Sequence, residues 1–341
     1  MKQPILGVTM GDPAGVGPEI IARAAVDPAV RRDSRPVVIG AASTMQAAVT
    51  LIGARLTVHA VKHVADCRWA DGMLEVLDLA NVDMQTLPRA VVSAAAGRAA
   101  YDYVERAVAL AQAREIDGIV TAPINKEALA AAGMPHTGHT EILAKLSNTA
   151  SYAMLLMGHD LRVIHVTTHV ALRRVPDLVT RERVLTTIQL AQRTMTSLGR
   201  RDARIAVAGL NPHAGEDGLF GDEEKTAIVP AIEAARADGL TVIGPLPADT
   251  LFSRARGGEF DIVVAMYHDQ GHIPVKTVGF TYDESTRRWT GLSGVNVTVG
   301  LPFLRVSVDH GTAFDRAWKG IANPESMIEA IDVAVRMLAA A

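Results

Sequence analysis

Asp261-Ile-Val-Val-Ala-Met-Tyr-His-Asp-Gln-Gly-His-Ile-Pro274 opens with an apolar run, Ile262–Met266, the length of a buried strand. The run breaks at once into Tyr267, His268, Asp269, Gln270, Gly271 and His272. In an open α/β sheet, ligands bind outside the carboxyl ends of the strands, so a polar cluster at such an end is a candidate site. Imidazole ligates divalent metals, a carboxylate holds a metal or moves a proton, and glycine lets backbone approach a ligand. A hydrogen-bonded polar turn explains one His–Asp pair equally well, so the rest of the chain has to decide.

Working outward, the same pattern recurs. Ile5–Met10 runs into Gly11-Asp-Pro-Ala-Gly-Val-Gly-Pro-Glu19, and Gly118–Thr121 into Ala122-Pro-Ile-Asn-Lys-Glu127. Leu161–Thr168 ends at His169, and Arg204–Gly209 leads to Asn211-Pro-His213. Pro36–Ile39, Leu56–Val61, Met73–Asp78, Ala153–Met157, Gly239–Ile243, Val295–Val299 and Leu304–Val308 read as further strands. Helical spacing covers Ser43–Leu51, Ala94–Arg114, Thr180–Leu198, Glu223–Arg236 and Pro324–Leu338. Strands alternating with helices predict an α/β fold with a mostly parallel sheet.

Local chemistry refines this. Pro18 and Glu19 suit a helix start. The glycines beside them are not spaced G-x-G-x-x-G, and no G-K-[ST] follows, so neither a Rossmann fingerprint nor a P-loop is present. That loop reads either as a tight strand–helix turn or as a cleft lining that Asp12 faces. Pro135-His-Thr-Gly-His-Thr-Glu141 opens a helix reaching about Leu146, with Thr137 or Thr140 as cap and an anion site at its N-terminus. His165 and His169, four apart, are expected on one strand face; His165, inside the strand, reads as a core histidine.

Length and composition set the class. The 341 residues suffice for two domains, and 49% hydrophobic with 21% charged residues is ordinary for a globular protein. A net charge of −3 and 4% aromatic content argue against nucleic acid as a partner. The single cysteine, Cys67, excludes a disulfide framework and a Cys-based zinc site. No run approaches the roughly 20 apolar residues of a membrane span, and the first residues lack a signal peptide's apolar region. A cytoplasmic protein with no membrane partner is expected.

Three histidines, His169, His213 and His268, each follow a separate apolar strand. Three imidazoles leave coordination positions open for substrate or water, as a catalytic metal requires. Taken with Gly11–Glu19, Thr137-Gly-His-Thr-Glu141, Thr167-Thr-His169, Asn211-Pro-His-Ala-Gly-Glu216, Pro247-Ala-Asp-Thr-Leu-Phe252, Met266-Tyr-His-Asp-Gln-Gly271, Gly294-Val-Asn296, Gly300-Leu-Pro-Phe-Leu-Arg305 and Asp309-His-Gly-Thr312, the chain resembles, over essentially its whole length, the 4-hydroxythreonine-4-phosphate dehydrogenases of pyridoxal phosphate synthesis. Asn125-Lys-Glu-Ala-Leu129, Phe220-Gly-Asp-Glu-Glu224 and Gly271-His-Ile-Pro274 look closer to the branch that oxidises 4-phospho-D-threonate or 4-phospho-D-erythronate.

The resemblance implies a fold like that of isocitrate and isopropylmalate dehydrogenases: two α/β/α domains with a central cleft. The first is expected to take residues 1–136 and 306–341, the second residues 137–305 with the metal ligands and the dimer contact. The resemblance makes His169, His213 and His268 ligands of a divalent metal (Zn, Mg, Mn or Co), one contributed across a homodimer with shared active sites. It makes His139, Thr140, Lys276, Asn296 and Arg305 substrate-binding positions for a small phosphorylated substrate. Asp249 and Asp269 fall in its cleft motifs as candidate catalytic residues. Lys276 either holds the phosphate or transfers a proton. The cofactor implied is NAD or NADP, and the reaction is oxidation at C3 with decarboxylation. A cis-dihydrodiol dehydrogenase of aromatic acid degradation, on the same fold, is the alternative. One departure stands out: thirteen residues, Thr281 to Ser293, separate Phe280 from Gly294, where the family passes within a few. Their polar Asp-Glu-Ser-Thr tip predicts a solvent-facing hairpin, with Tyr282 and Trp289 as cross-strand neighbours.

Overall fold

The computed structural model describes residues 3–134, 138–158, 160–285, 287–292 and 294–340. Thr137, one of the two expected helix caps, and Thr286 and Ser293 of the inserted segment lie outside the described residues. The chain forms two compact units, residues 1–150 with 301–338 and residues 151–300 with 339–341. The first unit is therefore discontinuous, and the boundaries fall at 150 and 300 rather than at 136 and 305. His139 and Thr140 consequently belong to the first unit, not to the second.

In the first unit, strands β1 (Ile5–Thr9), β2 (Arg35–Gly40), β3 (Thr57–Val61), β4 (Met73–Asp78), β5 (Gly118–Thr121) and β14 (Leu304–Val308) lie in the order β3-β4-β2-β1-β5-β14. Every pairing is parallel. All four residues of β5 are buried, as are Val37–Gly40 of β2. Parallel strands joined through helices are covered on both faces, which is why they read as unbroken apolar runs rather than as alternation.

In the second unit, β6 (Ala153–Gly158), β7 (Leu161–His165), β8 (Ile205–Ala208), β9 (Val242–Leu246), β10 (Ile262–Ala265) and β13 (Val295–Val299) take the order β13-β6-β7-β10-β8-β9. β7, β10, β8 and β9 run parallel, while β6 pairs antiparallel with both β13 and β7. Leu156, Val163, Val263, Ala206 and Ala265 pack with Leu251, Phe252 and Val275 of the helices Ala248–Arg256 and His268–Gly279 to form its core. Asp261, at the foot of β10, accepts from the Arg204 backbone N–H at 2.8 Å and so fixes the register against β8.

The inserted segment forms the expected hairpin. β11 (Phe280–Asp283) pairs antiparallel with β12 (Arg288–Leu292), and the backbones of Tyr282 and Trp289 are register partners. Tyr282, Glu284 and Arg287 are exposed. Among the described residues, no helix is long and apolar enough to cross a membrane.

Candidate active site

Strands β7 and β8 flank β10, so the segments bearing His169, His213 and His268 leave three neighbouring strand ends on one edge of one sheet. Their backbones are tied together there. Val166 N–H donates to Ala265 O at 2.8 Å, and Thr167 Oγ1 donates to Met266 O at 2.8 Å. Gln270, buried, accepts from Met266 N–H at 2.7 Å and donates to Gly209 O at 2.8 Å. One amide side chain thus links the ends of β10 and β8, a role its sequence position did not reveal. A buried amide satisfied at both ends is costly to disturb, because removal leaves two desolvated backbone groups.

The opening stretch is not a loop after its strand. A helix begins at His268 and runs to Gly279, with Pro274 inside it. Gly271 faces β7 so closely that a Cβ there would lie 2.3 Å from His165 Nε2 and 2.7 Å from Val163 Cγ1. Close helix–strand approach, rather than a turn, is what this glycine provides. The helix brings four imidazoles together. His268 stacks on His272 with ring centroids 3.7 Å apart, and His169 lies 5.4 Å and His165 6.4 Å from His268. His165 and His272 are buried, and burial lowers their pKa values to about 4 and about 3. Both are neutral at physiological pH. His165 Nδ1 pairs with Met154 O at 3.1 Å and His272 Nδ1 with His268 O at 3.0 Å. His165 is the core histidine expected, but β7 ends at it, so His169 lies beyond the strand and the shared-face argument does not apply.

His268 is half-buried, and its Nδ1 meets Asp269 Oδ1 at 2.6 Å. That hydrogen bond holds the Asp269 carboxyl below its ordinary range. A carboxylate on Nδ1 orients Nε2 outward, the arrangement ligating histidines use. His169, His268 and Asp269 line one hollow of about 310 Å³. Asp269 also lines a second hollow, of about 440 Å³, with Asp249, Arg256 and Gln270. The structure therefore connects His169, His268, Asp269 and Asp249. Lys276 stands on the same helix, its Nζ 5.8 Å from the centre of the Phe280 ring. Asn296 is half-buried on β13.

His213 stands apart, exposed, with Phe220 as its ring neighbour at 6.2 Å. Its turn is unusual. His213, Ala214, Gly215, Glu216 and Asp217 all have left-handed backbone, with φ of 55, 56, 82, 40 and 58°. Each non-glycine residue there costs roughly 1–2 kcal/mol, so the conformation has to be held by its surroundings. Among the described residues no three His, Cys, Asp or Glu side chains are grouped to hold a metal. The donor types, imidazole nitrogens with one ring oriented by a carboxylate, suit a borderline divalent ion: His169 and His268 stand near each other in one chain, and His213 lies exposed apart from them.

In the first unit, Arg305 on β14 is 3% exposed, and its Nη2 donates to Thr121 Oγ1 at 2.7 Å on the neighbouring strand β5. Burial lowers the guanidinium pKa to about 9, with Glu141 opposing the shift. The helix His139–Leu146 starts on Gly138 with no side-chain cap, so Thr140 sits inside the helix rather than capping it. Burial, with the Arg305 cation adjacent, keeps His139 neutral, and its Nε2 is buried without a hydrogen-bond partner among the described residues. An uncapped helix N-terminus, an unsatisfied imidazole nitrogen and a buried guanidinium together suit an anion.

The Gly11–Gly17 loop resolves as the tight turn. Asp12 is fully buried and does not face open space; its Oδ1 accepts from Ala14 N–H at 2.8 Å. The desolvated carboxyl has its pKa raised from 3.8 to about 6. A raised folded-state pKa means the protonated acid favours the fold. That contribution is full below pH 3.8 and is lost as pH rises through about 6. Relative to wild type, Asp12→Asn is therefore expected to gain stability between pH 4 and pH 7, by up to about 3 kcal/mol. Urea denaturation at a series of pH values measures the difference, and a pH-independent one would show that the carboxyl stays ionised in the fold.

The sequence profile of the family "Pyridoxal phosphate biosynthetic protein PdxA" matches residues 32–334. The chain is 48% identical over 334 residues to D-threonate 4-phosphate dehydrogenase of Pectobacterium atrosepticum, covering 98% of this chain and 99% of that one. It is 45% identical to 4-hydroxythreonine-4-phosphate dehydrogenase of Desulforapulum autotrophicum, covering 98% and 95%. The solved structure of 4-hydroxythreonine-4-phosphate dehydrogenase from Klebsiella pneumoniae superposes with a TM-score of 0.87 at 44% identity, covering 98% of this chain and all of that one.

Proposed function

Because the chain belongs to the PdxA family, we propose that it is a dehydrogenase of a 4-phosphorylated four-carbon hydroxy acid, with 4-phospho-D-threonate or 4-phospho-D-erythronate ahead of 4-phosphohydroxy-L-threonine. The reaction oxidises the C3 hydroxyl with NAD or NADP and releases the carboxylate, then β to the new carbonyl, as CO2. The observation that carries the phosphorylated substrate is the buried Arg305 guanidinium in the same unit as the uncapped helix start at His139.

The chain's own groups divide the work. Arg305 offers a planar fork to the phosphate, and His139 Nε2 with the backbone N–H groups of the helix start offers further donors. His169, His213 and His268 would hold a divalent ion, and Asp269 fixes the His268 ring through Nδ1. Bound there, the ion supplies Lewis-acid polarisation of the substrate's hydroxyl and carbonyl oxygens, while the nicotinamide supplies the hydride acceptor. Asp249 and Lys276 are the proton carriers proposed for the hydroxyl, with Asn296 and Thr140 as orienting contacts. A homodimer is part of the reading, since one chain pairs His169 with His268 and leaves His213 apart.

The test is a panel assayed with NAD, NADP and each of Zn2+, Mg2+, Mn2+ and Co2+. It contains the three phosphorylated acids, their dephosphorylated analogues and a cis-dihydrodiol carboxylate. Reduced cofactor with matching CO2 release is expected from a phosphorylated acid. Preference for the dihydrodiol, or turnover without CO2, would replace this reading.

A further inference from the structure

We propose that Glu224 is a positioning residue that presents His213, an inference that rests on reading His213 as a metal donor. Glu224 is 4% exposed, yet it sits beside one of the most exposed turns of the second unit. Its Oε1 accepts from the backbone N–H groups of Leu210 and Asn211, both at 2.7 Å, and its Oε2 accepts from Asn211 Nδ2 at 2.9 Å. Glu223 Oε2 accepts from the same amide at 2.6 Å. The carboxylate thus grips the chain immediately before Pro212, where the left-handed turn begins. At the other end, Lys225 Nζ pairs with Asp217 Oδ1 at 2.9 Å and donates to Asp217 O. Two consecutive residues hold both ends of the turn whose first left-handed residue is His213.

The glycines of this region are cut to the same clamp. A Cβ at Gly215 would lie 2.7 Å from Glu224 Oε2, and one at Gly221 would lie 2.5 Å from Asn211 Nδ2 and 2.6 Å from Glu223 Oε2. Gly215 and Gly221 have φ of 82 and 137°, which L side chains resist. Glu224 also opens a π-helical turn, Glu224–Ile228, ahead of the helix Val229–Ala237. Such turns are rare and frequently mark functional positions. A buried carboxylate, three donors and two side-chain-free positions spent on a solvent-facing turn are more than closing a loop requires. They fix the backbone direction at Asn211 and hence where the His213 imidazole points.

The experiment titrates Zn2+ into the full-length protein against a chelating dye, with melting temperature as a check of folding. Glu224→Ala is expected to weaken Zn2+ binding about 10- to 100-fold, the usual penalty for losing a group that orients a ligand. Glu224→Gln should fall between, because its amide oxygen can still accept from Leu210 and Asn211 while its NH2 opposes that of Asn211. The double variant Glu224→Ala/His213→Ala should bind no more weakly than His213→Ala, because both changes remove one donor. Wild-type Zn2+ affinity in a folded Glu224→Ala or Glu224→Gln protein, with affinity lost in His213→Ala, would overturn the proposal alone. Affinity retained by His213→Ala would instead overturn the metal reading beneath it. Should Glu224→Ala fail to fold, the Glu224→Gln titration decides.

Discussion

His213→Ala is expected to lose bound metal and, with it, turnover by at least about a hundredfold, while its melting temperature stays within a few degrees of wild type. The asymmetry follows from where the residue stands. His213 is exposed and its ring has Phe220 for a neighbour rather than the core, so little packing is lost. As one of three proposed imidazole donors, however, its removal leaves two, and a borderline ion held by two neutral nitrogens exchanges readily with solvent. The left-handed φ at 213 adds a refinement: asparagine tolerates that conformation better than alanine, so His213→Asn should lose metal with even less effect on stability. Metal content after dialysis and kcat with saturating substrate measure the two arms. A dialysed His213→Ala protein that keeps both metal and activity would remove His213 from the proposed metal site, whereas activity that persists after the metal is lost would remove the metal from the proposed mechanism.

Arg305→Ala is expected to lower kcat/KM for the phosphorylated substrate about ten- to a hundredfold and that of the dephosphorylated analogue far less. The range corresponds to roughly 1.5–3 kcal/mol for a charge-assisted hydrogen bond. The variant also empties a buried site and strands Thr121 Oγ1, so its stability will fall. Arg305→Lys separates the two effects. It keeps a cation and most of the volume but loses the planar fork, so it should recover stability while regaining only part of the discrimination. Equal losses on both substrates would mean that Arg305 supports the fold and does not read phosphate.

Much of the architecture is legible in the sequence because its strands are buried on both faces. Met73–Asp78, Gly118–Thr121, Val295–Val299 and Leu304–Val308 are found at the residues their apolar runs mark. The hairpin is equally plain, since a charged tip between two β-prone arms has few other solutions. Three things were hidden. The helix from His268 carries a glycine and an internal proline, both of which read locally as breakers; its packing against β7 overrides them. The left-handed turn at His213 has one glycine among five such residues, and Glu224, which accepts from the backbone just before it, lies on the following helical segment. Asp12 looks like a site residue because it is polar beside glycines, and only burial shows it turned inward. The roles of Gln270 and Thr121 are hidden for a related reason: their partners lie 61 and 184 residues away in the chain.

The discontinuity of the first unit bears on how the chain is made. Every residue of the second unit's sheet leaves the ribosome before β14 does. That unit can close its sheet while the first still lacks a strand. Until β14 arrives, β5 has β1 on one side and a bare row of donors and acceptors on the other, although all four of its residues are destined for burial. Open, apolar strand edges of this kind invite pairing with another chain. The interval between residues 121 and 304 is thus a window of vulnerability during synthesis, when a nascent chain is a natural client for a chaperone.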